Sequence, residues 1–387
     1  MHTGEEKILS YLIFNGGGTI PGMAAELGVS IGTATKLITG LVREGLVRDS
    51  GVIETSSGRK PHRFELNSDA GYFLGIDIAD RFLSFGLMDF AGRLVGSRRN
   101  IPFSLQNTPQ ALGKVFGELD AVLQEWTEAR GRILAAGIMI PGRVNMNTGN
   151  SYTNFSFTDA PLAEVFSKHL GCPVHLCNDT HAMTCAEYMQ GHNHDRKNLI
   201  YINVNWGLGA GIIIDGKLYS GKSGYAGEIG HCHGFDNDIL CRCGKKGCVE
   251  TEISGLAFRR KLTARIRNGE SSILSHRVLS DETPLSLQEI MNALRQEDVL
   301  CIDVIEEIGR MLGVRLSGLL NIFNPELVII GGELSHAGDY LLQPLKTAVN
   351  KYSVNLVNQD SEIRLSTLGD EGTVLAACLM ARDNVKQ

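Results

Sequence analysis

The sequence predicts a two-lobed α/β body preceded by a winged helix-turn-helix domain, and three observations predict it. After residue 66, apolar strands and amphipathic helices alternate, and the series runs twice, each time opening with three strands. Before it, the apolar residues follow the spacing of short helices packed across a glycine turn, and a strand pair follows them. Within the second series, one loop carries a histidine and three cysteines at H-x9-C-x-C-x4-C. A chain of 387 residues exceeds one ordinary core, so two or three domains are expected, and the pattern divides it into three. They are residues 1–66, a first α/β lobe 67–190, and a second lobe 191–370, with residues 371–387 packing back on the first lobe.

In the first 66 residues, Ile8, Leu9, Leu12 and Ile13 give a helix over Glu5–Phe14, ended by three glycines. Pro21 suits the first turn of a helix running to Leu27, Gly28 takes the turn, and Ser30 can cap a third helix over about Gly32–Glu44. Ala24 and Ala25 allow close helix approach, while Val29, Leu37 and Leu41 seal the small core. Facing outward are Ser30, Thr33, Thr35, Lys36 and Thr39, short polar groups able to reach base edges and phosphates in a major groove. A strand starts at Gly45–Arg48, and Ile53–Leu66 reads as a hairpin with Arg59 and Lys60 at its tip, suited to minor groove or backbone. Between Lys36 and Arg63 six basic residues stand against three acidic ones, so positive charge gathers where double-stranded DNA would lie.

The net charge of −6 excludes wholesale coating of nucleic acid but not this local patch. A leader and a run of 18 apolar residues are both lacking, which points away from export and membrane. Nine cysteines, an odd number, fit a reducing cytoplasm. Of these, Cys172, Cys177, Cys185, Cys232, Cys301 and Cys378 read mostly as core residues.

The first lobe begins with strands Tyr72–Ile78, Phe82–Asp89 and Arg93–Arg99, turned at Phe90-Ala91-Gly92. A helix over Thr108–Ala129, a strand Ile133–Ile140, a helix near Leu162–His169, a strand Val174–Cys177 and a helix Thr180–Met189 follow. The second lobe begins with a strand Leu199–Val204, a glycine-rich turn Gly207–Gly211, and a hairpin of Ile212–Asp215 with Lys217–Tyr219. Helices near Leu256–Asn268, Ser286–Arg295 and Asp303–Ile322 lead to a strand Leu327–Ile330, a helix Tyr340–Tyr352, a strand Ile363–Ser366 and a last helix Glu371–Ala381. Pro141-Gly142-Arg143, Asn178-Asp179 and Gly331-Gly332 all follow strands, where sites on such sheets lie, so all three are expected at a cleft between the lobes.

His231, Cys241, Cys243 and Cys248 are a Cys3His set, the ligands of a closed, tetrahedral structural zinc site. Gly244 and Gly247 permit the tight turn between the cysteines. Glu228 stands just before the first ligand and Glu250 just after the last.

At this point the chain resembles the ROK family (repressors, open reading frames and sugar kinases), which has the actin/hexokinase-like, ribonuclease H-like fold. The resemblance rests on Gly227-Glu228-x-Gly230-His231, the Cys-x-Cys-Gly-x-x-Gly-Cys-x-Glu run at 241–250, Asn178-Asp179, Pro141-Gly142-x-Val144, and Asn324-Pro325 before Gly331-Gly332. A helix-turn-helix before such a body is similar to the repressor branch, with its xylose and N-acetylglucosamine repressors; the kinases lack it. The resemblance implies that sugar is held by Asn154, Asn178, Asp179, Glu228, His231 and Glu250. Amides and carboxylates suit the vicinal hydroxyls of a sugar or sugar phosphate, and Gly142 and Arg143 join them as candidates. It also implies a homodimer or homotetramer on a near-palindromic operator.

The alternative is an ATP-dependent hexose or N-acetylhexosamine kinase, in which Asp179 matches the catalytic aspartate. Three departures speak against it. Where the kinases have Asp-x-Gly-Gly-Thr, this chain has Asp77-Ile78-Ala79-Asp80-Arg81, and Asp80 would bring negative charge towards phosphates. Their Gly-Thr-Gly is Gly207-Leu208-Gly209 here, and Glu333 replaces a third glycine. ATP is therefore not expected, and the sequence reads as a sugar-responsive regulator without catalytic residues.

Overall fold

A computed structural model describes residues 4–52, 61–129, 131–190, 193, 195–281, 283–369 and 371–384. It opens with α1 (Gly4–Asn15), β1 (Gly18–Thr19), α2 (Ile20–Leu27) and α3 (Ile31–Arg43). The Thr19 and Ser30 hydroxyls start α2 and α3 by accepting the backbone N–H of Gly22 and Thr33. Gly28 ends α2 in the left-handed region at φ 63°, where the sequence expects the turn.

The α3 face that is buried is Ala34, Ile38 and Leu41, spaced i, i+4 and i+7, and with Ile8, Leu12 and Met23 it makes the small core. Leu37 and Val29 are only half-buried and Ala25 is exposed, so the expected seal is corrected to this set. Of the expected hairpin, residues 53–60 lie outside the described residues. Its arms are β2 (Val47–Val52) and β3 (His62–Leu66), in a sheet of order β1-β3-β2, because Val47 pairs with Leu66 and brings two buried side chains together. Arg59 and Lys60 lie outside the described residues.

Met1–Met189 with Asp370–Gln387 form one compact unit, and Gln190–Gly369 form another. The first unit holds β4 (Tyr72–Ile78), β5 (Phe82–Asp89), β6 (Leu94–Pro102), α4 (Pro109–Glu125), β7 (Ile133–Ile140), β8 (Val144–Asn145), β9 (Asn150–Ser151), α5 (Leu162–Leu170), β10 (Val174–Asn178) and α6 (Asp179–Gln190). Its main sheet has the order β10-β7-β4-β5-β6; the three-strand meander is antiparallel, and the strands reached by crossover are parallel.

The second unit holds β11 (Leu199–Val204), β12 (Leu208–Ile214), β13 (Lys217–Leu218), α7 (Gly255–Arg267), α8 (Ser275–Ser280), α9 (Leu287–Arg295), α10 (Val299–Phe323), β14 (Leu327–Gly331), α11 (Asp339–Tyr352), α12 (Asn355–Asp360) and β15 (Glu362–Leu365). The order β13-β12-β11-β14-β15 repeats the first sheet strand for strand. Here the sequence reading needs one correction: Leu208–Gly211 is not a turn but the start of β12, paired residue by residue with β11.

The chain then returns to the first unit as α13 (Gly372–Asn384). Gly86, Gly75 and Gly137 stand side by side across β5, β4 and β7. A methyl group on Gly75 would sit 2.5 Å from Val374 O, and one on Gly137 would overlap Ala377 O. The glycine row therefore lets the backbone of α13 lie directly on the sheet. In the second unit, Gly309 and Gly313 of α10 do the same for α11, facing the carbonyls of Leu341 and Leu345. Of the expected core cysteines, Cys172, Cys177, Cys301 and Cys378 are buried, Cys185 is half-buried and Cys232 is exposed. Among the described residues no helix is long and apolar enough to cross a membrane.

Candidate metal centre and flanking polar groups

Gly227-Glu228-Ile229-Gly230-His231 runs along β12 at backbone distance. Gly227 O accepts from Ala210 N at 2.8 Å. A side chain on Gly227 would overlap Ala210 O, and one on Gly230 would overlap Leu208 O. Only glycine fits at either position, and Gly227 is further held at φ 88°. The pressed segment ends in a short 3-10 turn, Ile229–His231, which places Glu228 and His231 beside the cysteine loop.

That loop closes by Cys241 N–H to Lys245 O at 2.8 Å and Gly244 N–H to Cys241 O at 2.9 Å, with Gly244 at φ 86°. Gly247 (φ 74°) leaves room for Phe235 O and the His233 ring. Val249 N–H to Cys232 O at 2.9 Å joins the loop's end to the histidine segment. The ligand atoms of His231, Cys241, Cys243 and Cys248 lie within 4.8 Å of one another, a group able to hold a metal ion. Cys243 Sγ is 3.6 Å from Cys248 Sγ, and Cys241 Sγ is 3.5 Å from His231 Nδ1.

Both flanking carboxylates reach this group. Glu250 is buried in a second 3-10 turn, Val249–Thr251, and its Oε1 accepts the Cys241 thiol at 2.9 Å and lies 3.6 Å from His231 Nδ1. Glu228, more exposed, lies 3.5 Å from His231 Nε2. Burial, and next to it the acceptor Glu250, hold the Cys241 thiol well above the usual thiol range.

In the first unit the expected sugar groups gather around the end of β7. Asn154 donates to Pro141 O at 2.8 Å and Asn178 to Gly142 O at 2.9 Å. Gly142, at φ 90°, packs on Thr153, whose hydroxyl accepts the Arg143 N–H at 3.0 Å. Asn178 also caps α6 by accepting from Thr180 N at 2.9 Å. Its amide thus does structural work at both ends. Asp179 follows in the first turn of α6, and its carboxylate accepts the same Thr180 N–H at 2.8 Å. Arg143 is exposed. Asn154, Asn178, Asp179, Gly142 and Arg143 belong to one unit and Glu228, His231 and Glu250 to the other.

The sequence reading passed over Thr373. Its hydroxyl acts on the Asp77 carboxyl, as does the charge of Asp179. Burial first, and Asp179 in addition, raise Asp77 to about 7 against the pull of Thr373. No local spacing links residues 77, 179 and 373; the pairing of β4, β7 and β10 brings the first two to one end of the sheet, and the return of α13 adds the third. Between β4 and β5 the turn 79–81 is short: Ala79 N–H bonds Phe82 O at 3.0 Å, and the carbonyls of Asp80 and Arg81 accept from Leu105 and Phe103.

On α3, Thr33, Thr35, Lys36 and Thr39 are exposed as expected, as is Ser30 before it. Three hydroxyls are partly engaged, those of Ser30 and Thr33 lying 2.9 Å apart. Ser30 accepts the Thr33 N–H at 3.1 Å, and Thr35 donates to Ile31 O at 2.8 Å.

Residues 73–384 match the profile described as the ROK family. The putative xylose repressor of Caldicellulosiruptor sp. (strain Rt8B.4) is 30% identical over 351 residues, covering 90% of this chain and 87% of its own length. The crystal structure of a ROK family transcriptional regulator, a homologue of the E. coli MLC protein, superposes with a TM-score of 0.82 at 27% identity, covering 98% of this chain and 96% of that one. A ROK family glucokinase from Streptomyces griseus, solved with glucose and AMPPNP, gives 0.69 at 26% identity, covering 81% of this chain and all of its own.

Proposed function

The chain belongs to the ROK family, and from that premise we propose that it is a sugar-responsive transcriptional repressor of carbohydrate genes that binds double-stranded DNA. The observation that carries the reading is the exposed polar face of α3, set in a winged helix-turn-helix in front of a sugar-kinase-like body. The regulator structure spans nearly the whole chain, whereas the glucokinase leaves about a fifth of it unmatched. Lys36 and Thr39 would reach the major groove, Ser30, Thr33 and Thr35 would assist from hydroxyls that are already partly bonded, and Arg59 and Lys60 would contact the backbone. Two copies would read a near-palindromic operator.

The metal we assign is zinc. A tetrahedron with Zn–S bonds of about 2.3 Å has S–S edges of about 3.8 Å, close to the cysteine separation found here. His231 through Nδ1 and the three thiolates would hold it, with no open position, so it supplies rigidity and no reaction. Glu228 would accept from His231 Nε2, fixing the ring. Glu228 and Glu250, and likewise Asn154, Asn178 and Asp179, would offer acceptors and donors to sugar hydroxyls, with Gly142 and Arg143 as further candidates; His231, with both nitrogens engaged, would act through the metal and Glu228.

The glucokinase match favours a second reading, ATP-dependent phosphorylation with Asp179 as base. The short turn at 79–81 weighs against it, because it has no glycine pair and carries Asp80. The reading is tested by electrophoretic shift on the DNA upstream of the gene, with and without D-xylose, D-glucose and N-acetyl-D-glucosamine. A salt-sensitive, sequence-selective complex that one sugar weakens is expected. Sugar-dependent ADP release abolished by Asp179→Asn, with no selective DNA complex, would overturn it.

A further inference from the structure

Asp77 lies two residues after Gly75 on β4, on the face that α13 covers, and Thr373 in the first turn of α13 precedes Val374, whose carbonyl is 2.5 Å from where a methyl on Gly75 would sit; the Thr373 hydroxyl and the Asp179 charge both act on the Asp77 carboxyl. From Thr373 the helix runs nine residues, about 14 Å, to Arg382 and is almost wholly buried between them. It lies on the glycine row Gly75, Gly86 and Gly137, where the absence of side chains leaves no cushion between helix and sheet. A helix so seated moves as one body.

The far end meets the turn between β5 and β6. Arg382 is buried, with 4% exposure, and its Nε has no hydrogen-bond partner among the described residues. Its Nη1 stands 2.6 Å from where a methyl on Gly92 would be. Asp89, buried at the start of the same turn, is among the charges acting on it, and Asp383 is 3.9 Å away. The turn is tight: Gly92 N–H bonds Asp89 O, and Asp89 N–H bonds Arg93 O, both at 2.9 Å. Its remaining residues, Phe90 and Ala91, pack on the core of the helix-turn-helix domain, and Phe90 stacks on Phe73 of β4 at 5.9 Å.

We propose that α13 is the strut that couples the carboxylates at Asp77 and Asp179 to the DNA-binding domain, with Thr373 and Arg382 as its coupling ends. The proposal rests on the reading of Asp179 as a sugar contact. A sugar hydroxyl engaging Asp179 changes the field at Asp77 and hence its hold on Thr373. Any shift of α13 then reaches Gly92 through the buried guanidinium, and Phe90 and Ala91 carry it into the small core. Both residues are positioning residues; neither touches sugar or DNA.

The test is the coupling ratio, the Kd for a duplex selected by the wild-type protein from a random pool, with and without saturating sugar. The sugar is whichever of D-xylose, D-glucose and N-acetyl-D-glucosamine raises the melting temperature of the wild type. From a wild-type ratio of about ten or more, Thr373→Val is expected to fall near one, with DNA affinity without sugar and zinc content unchanged. Thr373→Ser, which keeps the hydroxyl, restores the ratio. Arg382→Met is expected to uncouple in the same way. Should it unfold, the valine and serine variants decide alone. A wild-type ratio in Thr373→Val overturns the strut. A wild type that binds the duplex yet responds to no sugar overturns the functional reading, and the strut with it.

Discussion

Glu250 and Cys243 separate two roles that the loop combines. Cys243→Ser removes a ligand, so zinc should fall from about one ion per chain to near zero by elemental analysis, and the sugar response should go with it. Glu250→Ala leaves four ligands and should keep the ion while losing the response. Equal metal loss in both variants would contradict this division. Asp77 gives a prediction in pH. Its folded value of about 7 lies above the ordinary 3.8, so the folded chain holds the proton more tightly. That stabilisation is full below about pH 4 and lost as pH rises through 7. Asp77→Asn should therefore melt higher than wild type at pH 8 and equally only at or below about pH 4, in parallel thermal scans. The ligand set was legible in sequence because its four residues fall within 18 positions and their chemistry is specific. Thr373 was not legible, since its partner is nearly 300 residues away.

Single elements show why some local signals misled. Glycines at 207, 209 and 211 read as a turn, but residues 208–211 pair residue by residue with β11, a tertiary partner that no local spacing shows. The helices fared better, because Thr19, Ser30 and Gly28 act within one turn and leave their mark beside the element they bound. Likewise α3 was found in its place with its outward face as expected, and only Leu37 is half-buried where the sequence has it sealing the core. The glycine row under α13 yields a stability prediction. Gly137→Ala should lift the helix and cost about 1 to 3 kcal/mol, read as a lower urea midpoint. A side chain there meets backbone, which cannot rotate away. Gly113→Ala on α4, which has nothing within 4 Å, is the control and should be neutral or slightly stabilising.

Across the whole molecule, two sheets share one strand order, and the alternation of strand and helix made this legible without any contact being known. Charge is also divided, since a chain of net −6 must bind DNA through a local patch. Affinity should fall steeply with salt, and changing Arg59 and Lys60 together to alanine should lower the slope of log K against log salt by roughly two. An unchanged slope would remove the wing tip from the interface. The return of α13 has a further bearing, on synthesis. The second unit is one continuous stretch, whereas the first needs a helix that follows it. At about 5 to 20 residues per second, the sheet of the first unit waits about 10 to 40 s for its last helix. During translation the DNA-binding domain thus rests on an unfinished platform, and a chain released before residue 372 carries a complete second unit but no completed first one.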